Sequence, residues 1–147
     1  MDAWRANLVT SPEALADIVR DSHRIAVLGI KTEAQRGQAA FYVPEYMQRA
    51  GYDIVPVPVY YPDVTEILGR PVYRTVAAVP GPVDMVNVFR RPHDIPPHVP
   101  DIIAARPTVV WFQLGITQAA AAEALARAGI RVVQDRCLLV EHRRLRA

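Results

Sequence analysis

Ile25-Ala26-Val27-Leu28-Gly29 is a continuous apolar run closed by a glycine, and its reading decides the fold. A strand with one wet face alternates apolar with polar residues. A run without alternation belongs to a strand covered on both faces, as in a parallel sheet. On its amino-terminal side the spacing predicts a helix over 11–22. Thr10 or Ser11 caps it, Pro12 suits its first turn, Glu13 meets the positive end of the dipole, and Leu15, Ile18 and Val19 share one face. On the other side a polar loop leads to a helix over 42–50, with Pro44 in its first turn and Gly51 just past its end. Further strands are expected over 53–57, 72–74, 83–89, 108–112 and 131–134. A short helix from about Pro97 and an alanine-rich helix over 118–128, closed by Gly129, lie between them. Strands alternating with helices make an α/β fold with a mainly parallel sheet, and right-handed crossovers put helices on both faces. Strand order cannot be read from periodicity.

The chain has 147 residues, room for one domain spanning 1–147, and its 51% apolar and 22% charged residues exclude intrinsic disorder. Cys137 is the only cysteine, which rules out an internal disulfide framework and a cysteine-rich zinc module and suits a reducing cytosol. No apolar run reaches membrane-spanning length, and the first twenty residues, with Trp4, Arg5, Glu13 and Asp17, do not resemble a signal peptide. The expectation is a soluble, cytoplasmic protein. Net charge is +2, and Lys31 is the only basic residue among 17 that is not arginine. Outside Arg90-Arg91 and the tail His142-Arg143-Arg144-Leu145-Arg146 the arginines are dispersed, which argues against a nucleic-acid partner.

Open α/β sheets bind ligands outside the carboxyl ends of their strands. The first such loop is Gly29-Ile30-Lys31-Thr32-Glu33-Ala34-Gln35-Arg36-Gly37-Gln38. Gly29 allows a tight turn, Lys31 and Arg36 bring positive charge, Thr32 a hydroxyl, and the following helix offers N–H groups to an anion. The loop lacks the three glycines of the dinucleotide fingerprint. The second strand runs Ile54-Val55-Pro56-Val57-Pro58-Val59-Tyr60 without the acid that would take a ribose hydroxyl, so an ordinary NAD site is not expected. Phe89-Arg90-Arg91-Pro92 offers two arginines for phosphate and a ring for an apolar group, and Gln113-Leu114-Gly115 a polar side chain and open backbone.

No catalytic constellation emerges. The sequence has no G-x-S-x-G, no G-x-x-x-x-G-K-[ST] and no H-E-x-x-H, and His23, His93, His98 and His142 lack metal-ligand spacing. Cys137 and His142 lie five apart, but Leu138-Leu139-Val140 reads as a buried final segment and makes Cys137 a packing residue.

Three stretches together, Val86-Asn87-Val88-Phe89-Arg90-Arg91-Pro92, Val110-Trp111-Phe112-Gln113-Leu114-Gly115 and Asp135-Arg136-Cys137-Leu138-Leu139-Val140-Glu141-His142, strongly resemble the small stand-alone CoA-binding proteins. These are similar to the CoA-binding domain of the succinyl-CoA synthetase α subunit. Gly29, Tyr42-Val43-Pro44, Gly51-Tyr52 and Leu68-Gly69 fall in register with the same pattern, and the resemblance covers 25–145. It implies a Rossmann-type three-layer αβα sandwich that binds coenzyme A or an acyl-CoA across the strand ends. By that resemblance Gly29, Ile30, Lys31, Thr32, Arg36, Gly37 and Gln38 approach phosphates. Pro56, Val57 and Pro58 flank the adenosine end, and Val88, Phe89, Arg90, Arg91, Gln113 and Gly115 border the rest.

The resemblance implies no ligase activity, because the chain ends near the limit of that domain. The expected role is non-catalytic binding of a small-molecule CoA ligand, with a protein partner or self-association left open. The alternatives are an enzyme or subunit using NADP or another nucleotide in an altered site, and an interaction module with a decayed site. Three departures fall on the site. A two-residue insertion leaves either Arg36 or Gln38 at the family's arginine position. Val57-Pro58 stands where asparagine-proline is usual, and His93 where glutamate is usual.

Overall fold

Ser11 opens the first helix, α1 (Pro12–Asp21), by accepting from the Ala14 N–H at 3.2 Å. The computed structural model describes residues 2–146. After α1 come β1 (Arg24–Leu28), α2 (Ala39–Arg49), β2 (Asp53–Val57), β3 (Glu66–Ile67), β4 (Arg70–Pro71), β5 (Met85–Val88), α3 (Val99–Ala105), β6 (Val109–Phe112), α4 (Ala119–Arg127), β7 (Arg131–Val133) and α5 (Leu138–Arg146). Five strands form one parallel sheet in the order β2-β1-β5-β6-β7.

Each strand divides its residues between two cores. Ala26, Leu28, Val86, Val88, Val110 and Phe112 join one cluster with Ile102 of α3 and Ala121, Ala122 and Leu125 of α4. Ile25, Val27, Met85, Val109 and Trp111 join the other, with Leu15, Ile18 and Val19 of α1, Phe41, Val43 and Met47 of α2, and Leu138 of α5. The period of two sends alternate side chains to opposite faces, and both faces are covered. The result is the expected αβα sandwich. No helix among the described residues is long and apolar enough to cross a membrane.

Several expectations need correction. The second helix begins at Ala39, so Pro44 is interior to α2 and not in its first turn. Proline has no N–H for the Ala40 carbonyl, and that carbonyl accepts from the Lys31 N–H at 3.1 Å instead. The proline thereby frees an acceptor that ties the first loop to α2. Residues 72–74 are not a strand. The hairpin β3–β4 precedes them, turning at Leu68 (φ 55°) and Gly69 (φ 72°), and Tyr73 N–H reaches the Pro56 carbonyl at 3.0 Å. Pro56 is tolerated because β2 is an edge strand and the backbone side of this buried residue that lacks an N–H is the one away from β1, where its carbonyl meets Tyr73. The final apolar segment is the start of α5. Leu138 and His142 are buried there and Val140 is exposed.

Candidate ligand-binding site

The strand order reverses between β1 and β5, the neighbours from which the chain winds outward in both directions. In doubly wound sheets the crevice at this switch receives the ligand. Here Gly29 meets Phe89. Gly29 has φ 87°, its N–H donates to the Val57 carbonyl at 2.9 Å, and a Cβ on it would lie 2.3 Å from the Phe89 carbonyl oxygen. The Phe89 N–H donates to the Leu28 carbonyl at 2.9 Å. A glycine is therefore required for the two strand ends to close together.

From Gly29 the chain passes through buried Ile30 to Lys31, whose ammonium donates to the Gln38 side-chain oxygen. Lys31 has no carboxylate partner among the described residues. Thr32 and Gln35 form a reciprocal cap around a single turn: Gln35 Oε1 accepts from the Thr32 N–H at 3.0 Å, and Thr32 Oγ1 accepts from the Ala34 N–H at 3.3 Å. Glu33 leaves the loop to accept the Leu68 N–H at 2.9 Å, docking the β3–β4 hairpin onto it. Arg36 is exposed, pairs with Glu45 at 3.3 Å and lies 5.3 Å over the Phe41 ring. Gly37 has open space around it. Gln38 precedes α2 without capping it by a side chain, so the positive end of that helix opens toward this loop.

On the β5 side, Arg91 is exposed and pairs with Asp94 at 3.1 Å, whereas the Arg90 side chain is only 14% exposed. Arg90 donates to His98 Nε2 and to the Tyr60 hydroxyl, each at 3.3 Å, and stands 3.8 Å from Asp94. The bond and charge from Arg90 hold the Tyr60 phenol below its ordinary pKa. Phe89 is half-buried against the core beneath α1, α2 and α5. After β6, Gln113 is buried. Its side-chain oxygen accepts from the Asn87 amide and from the Leu138 N–H, each at 3.3 Å, so it serves the start of α5. Gly115 is exposed at φ 84° with its N–H on Asp135 at 2.7 Å. Pro56, Val57, Pro58 and Val88 are all buried.

The structure thus brings the first loop and Phe89-Arg90-Arg91 to one end of the sheet, with Gln113 and Gly115 beside them. It turns Ile30, Val57, Val88 and the Gln113 oxygen inward. Sequence reading missed Tyr60, and the signal was an aromatic pair, Tyr60-Tyr61, directly beyond a strand's carboxyl end. The large apolar side chains exposed among the described residues are Tyr42, Tyr60, Leu114 and Val140. All four follow strand carboxyl ends, on the first turn of α2, after β2, after β6 and on the first turn of α5. A cavity of about 470 Å³ lies at the opposite end, lined by Ile103, Arg106, Pro107, Ala128, Gly129 and Ile130. This hollow is half open and carries one charged side chain, Arg106, whereas the charges, the open helix end and the exposed rings favour the carboxyl end. Cys137 is half-buried just before α5, against the core beneath α1, α2 and α5.

Residues 23–143 match the model of a family described as CoA binding domain. The chain belongs to the CoA binding domain family. A Thermus thermophilus structure, cell-free ID.343, is 37% identical, covers 92% of this chain and 99% of its own, and superposes with a TM-score of 0.84. The uncharacterized protein YneT of Bacillus subtilis (strain 168) is 33% identical over 90% of this chain and 94% of its own. A hypothetical protein from Pyrococcus horikoshii OT3 is 30% identical over 94% of both chains, with a TM-score of 0.83.

Two histidines give this family member a pH signature. Burial lowers the pKa of His142, helped by the Arg146 charge, and its Nδ1 lies 2.9 Å from the Tyr46 hydroxyl. Burial and then the Arg90 charge lower that of His98. The folded state favours neutral imidazole, while the unfolded chain takes up protons near the ordinary value of about 6.5. Between the two values the unfolded state binds more protons, so stability rises with pH across that window and falls on acidification below about 6.5. Thermal melts should show a midpoint that drops from pH 7.5 to pH 5. His142→Phe should flatten the drop, and an unchanged slope in that variant would remove His142 from the explanation.

Proposed function

We propose that this protein is a non-catalytic binder of coenzyme A or an acyl-CoA, held in one domain at the carboxyl ends of β1, β5 and β6. The observation that carries this reading is the switch point itself. There a tight glycine turn, a helix end without a side-chain cap and a lysine without a carboxylate partner converge in a chain of the CoA binding domain family. The groups present fit the ligand's parts. Phosphates suit the α2 amino end, Lys31, the Thr32 turn and Arg36, with Gly37 and Gln38 leaving room for close approach. The pantetheine arm suits the Phe89 edge and the open space beside Gly115. Pro56, Val57 and Pro58 support the adenosine end from beneath, with Arg90 and Arg91 supplying positive potential. The bound molecule supplies a thiol or thioester; the chain holds and orients it.

Calorimetric titration should show CoA binding more tightly than NAD, because Val57-Pro58-Val59-Tyr60 carries no acid for a ribose hydroxyl. Affinity should fall as salt rises, since exposed phosphate contacts are screened over a Debye length of about 10 Å at 0.1 M. Tighter binding of NAD would refute the reading. Mass spectrometry of the denatured, freshly purified protein tests it independently by identifying any carried nucleotide.

A further inference from the structure

Tyr60 is an exposed aromatic ring held in place from two sides. Its side is open, with 56% of the residue exposed, yet its hydroxyl meets Arg90 at 3.3 Å and its ring centroid lies 5.5 Å from that guanidinium. Arg90 is itself fixed by His98 and Asp94. The backbone is pinned as firmly. One guanidinium, that of Arg74, donates to the carbonyls of Tyr60 at 3.2 Å, Tyr61 at 3.0 Å, Pro62 at 3.3 Å and Val64 at 2.6 Å. Tyr61 adopts φ 64° within this loop and packs edge-on to Tyr60 at 6.4 Å. Exposed tyrosines ordinarily sample several rotamers, and immobilising one is unfavourable unless something uses the fixed ring.

We propose that Tyr60 is the stacking platform for the ligand's purine base, and that Arg90 and Arg74 are positioning residues that preorganise it. This rests on the nucleotide reading above. A phenol ring flanked by a cation offers a planar, sequence-tolerant surface for a purine, and the adjoining Arg90 and Arg91 favour a phosphate on the attached ribose. The arrangement also gives Arg90 a different task from direct phosphate pairing. Its donors are already directed at Tyr60, His98 and Asp94, so it acts on the ligand through the ring.

The test uses three probes on the intact protein: CoA, adenosine 3′,5′-bisphosphate, and 4′-phosphopantetheine, which lacks the base. Tyr60→Ala should weaken CoA and adenosine 3′,5′-bisphosphate by about 10- to 100-fold, the range for loss of one base–aromatic stack. It should leave 4′-phosphopantetheine unchanged. Tyr60→Phe should keep CoA within a few-fold, and Arg74→Ala should lower the affinity of the two base-containing probes only. Equal loss on all three probes, or no loss on any, would overturn the platform. If the wild type binds adenosine 3′,5′-bisphosphate through Tyr60 but not CoA, the platform stands and the CoA reading fails. If it binds CoA and Tyr60→Ala changes nothing, the platform fails and the CoA reading stands. Binding of no probe by the wild type overturns both.

Discussion

Replacement of Gly29 by alanine is expected to destabilise the fold by about 2–5 kcal/mol, combining a left-handed conformation with overpacking. The left-handed part follows from φ 87°, and the overpacking from a Cβ placed 2.3 Å from the Phe89 carbonyl oxygen and 3.1 Å from its carbon. Neither neighbour is the flexible end of a side chain, so β1 and β5 would have to separate at the switch point. Gly115 provides the contrast. It has φ 84° but nothing within reach of a Cβ, so Gly115→Ala should cost only the conformational part, about 1–2 kcal/mol. Urea denaturation of both variants measures the difference. Equal losses would mean that the close approach of Gly29 to Phe89 is not under steric tension. Because the first loop hangs from Gly29, ligand affinity should fall in Gly29→Ala even below the temperature at which it melts.

Lys31→Glu should have the largest effect on CoA affinity, a loss of about 100-fold or more, with Lys31→Ala losing about 10-fold. The reason lies in which charges are already used. Arg36 has Glu45, Arg91 has Asp94 and Arg90 has Asp94 and His98, but the Lys31 ammonium meets only the neutral Gln38 amide. Moving it from an amide to a phosphate forfeits no ion pair. Stability should hardly change, because the loop is anchored through the Lys31 backbone N–H on the Ala40 carbonyl. Lys31→Arg should restore most of the affinity. Arg36→Ala should weaken binding less than Lys31→Ala, and the reverse order would shift the phosphate subsite toward the α2 side of the loop. Titrations at two salt concentrations separate a charge effect from a distortion, since a charge contribution from Lys31 should shrink with ionic strength and a distortion should not.

The sheet was legible because its signals are local. Ile25 to Leu28 read as a doubly covered strand, Ser11-Pro12 as a helix start, and Gly51 and Gly129 as helix ends. The helix start at Ala39 was missed because Pro44 suggested a first turn, and nothing nearby in sequence announces that its unbonded carbonyl serves Lys31. The helix α5 was missed because three adjacent apolar residues, Leu138-Leu139-Val140, outweighed the helical spacing of Leu138, His142 and Leu145.

The candidate site divides in the same way. Residue types and their positions beyond strand ends are properties of the string, so a glycine turn, a cationic first loop and a paired arginine after the fourth expected strand could be named without coordinates. Strand order, and with it the switch point between β1 and β5, depends on pairings between residues some sixty positions apart, which no local period encodes. Separation along the chain also hides which groups consume one another. Gln113 turns to Asn87 and Leu138, Arg90 to Tyr60, and Arg74 collects four carbonyls, all through contacts that exist only once the chain has folded. Composition and periodicity determined an α/β sandwich and the residue types that lie beyond its strand ends. Tertiary structure alone decided which cation keeps no carboxylate partner and which exposed ring an arginine holds, because hydrogen bonds and ion pairs are short-ranged in space and indifferent to distance along the chain.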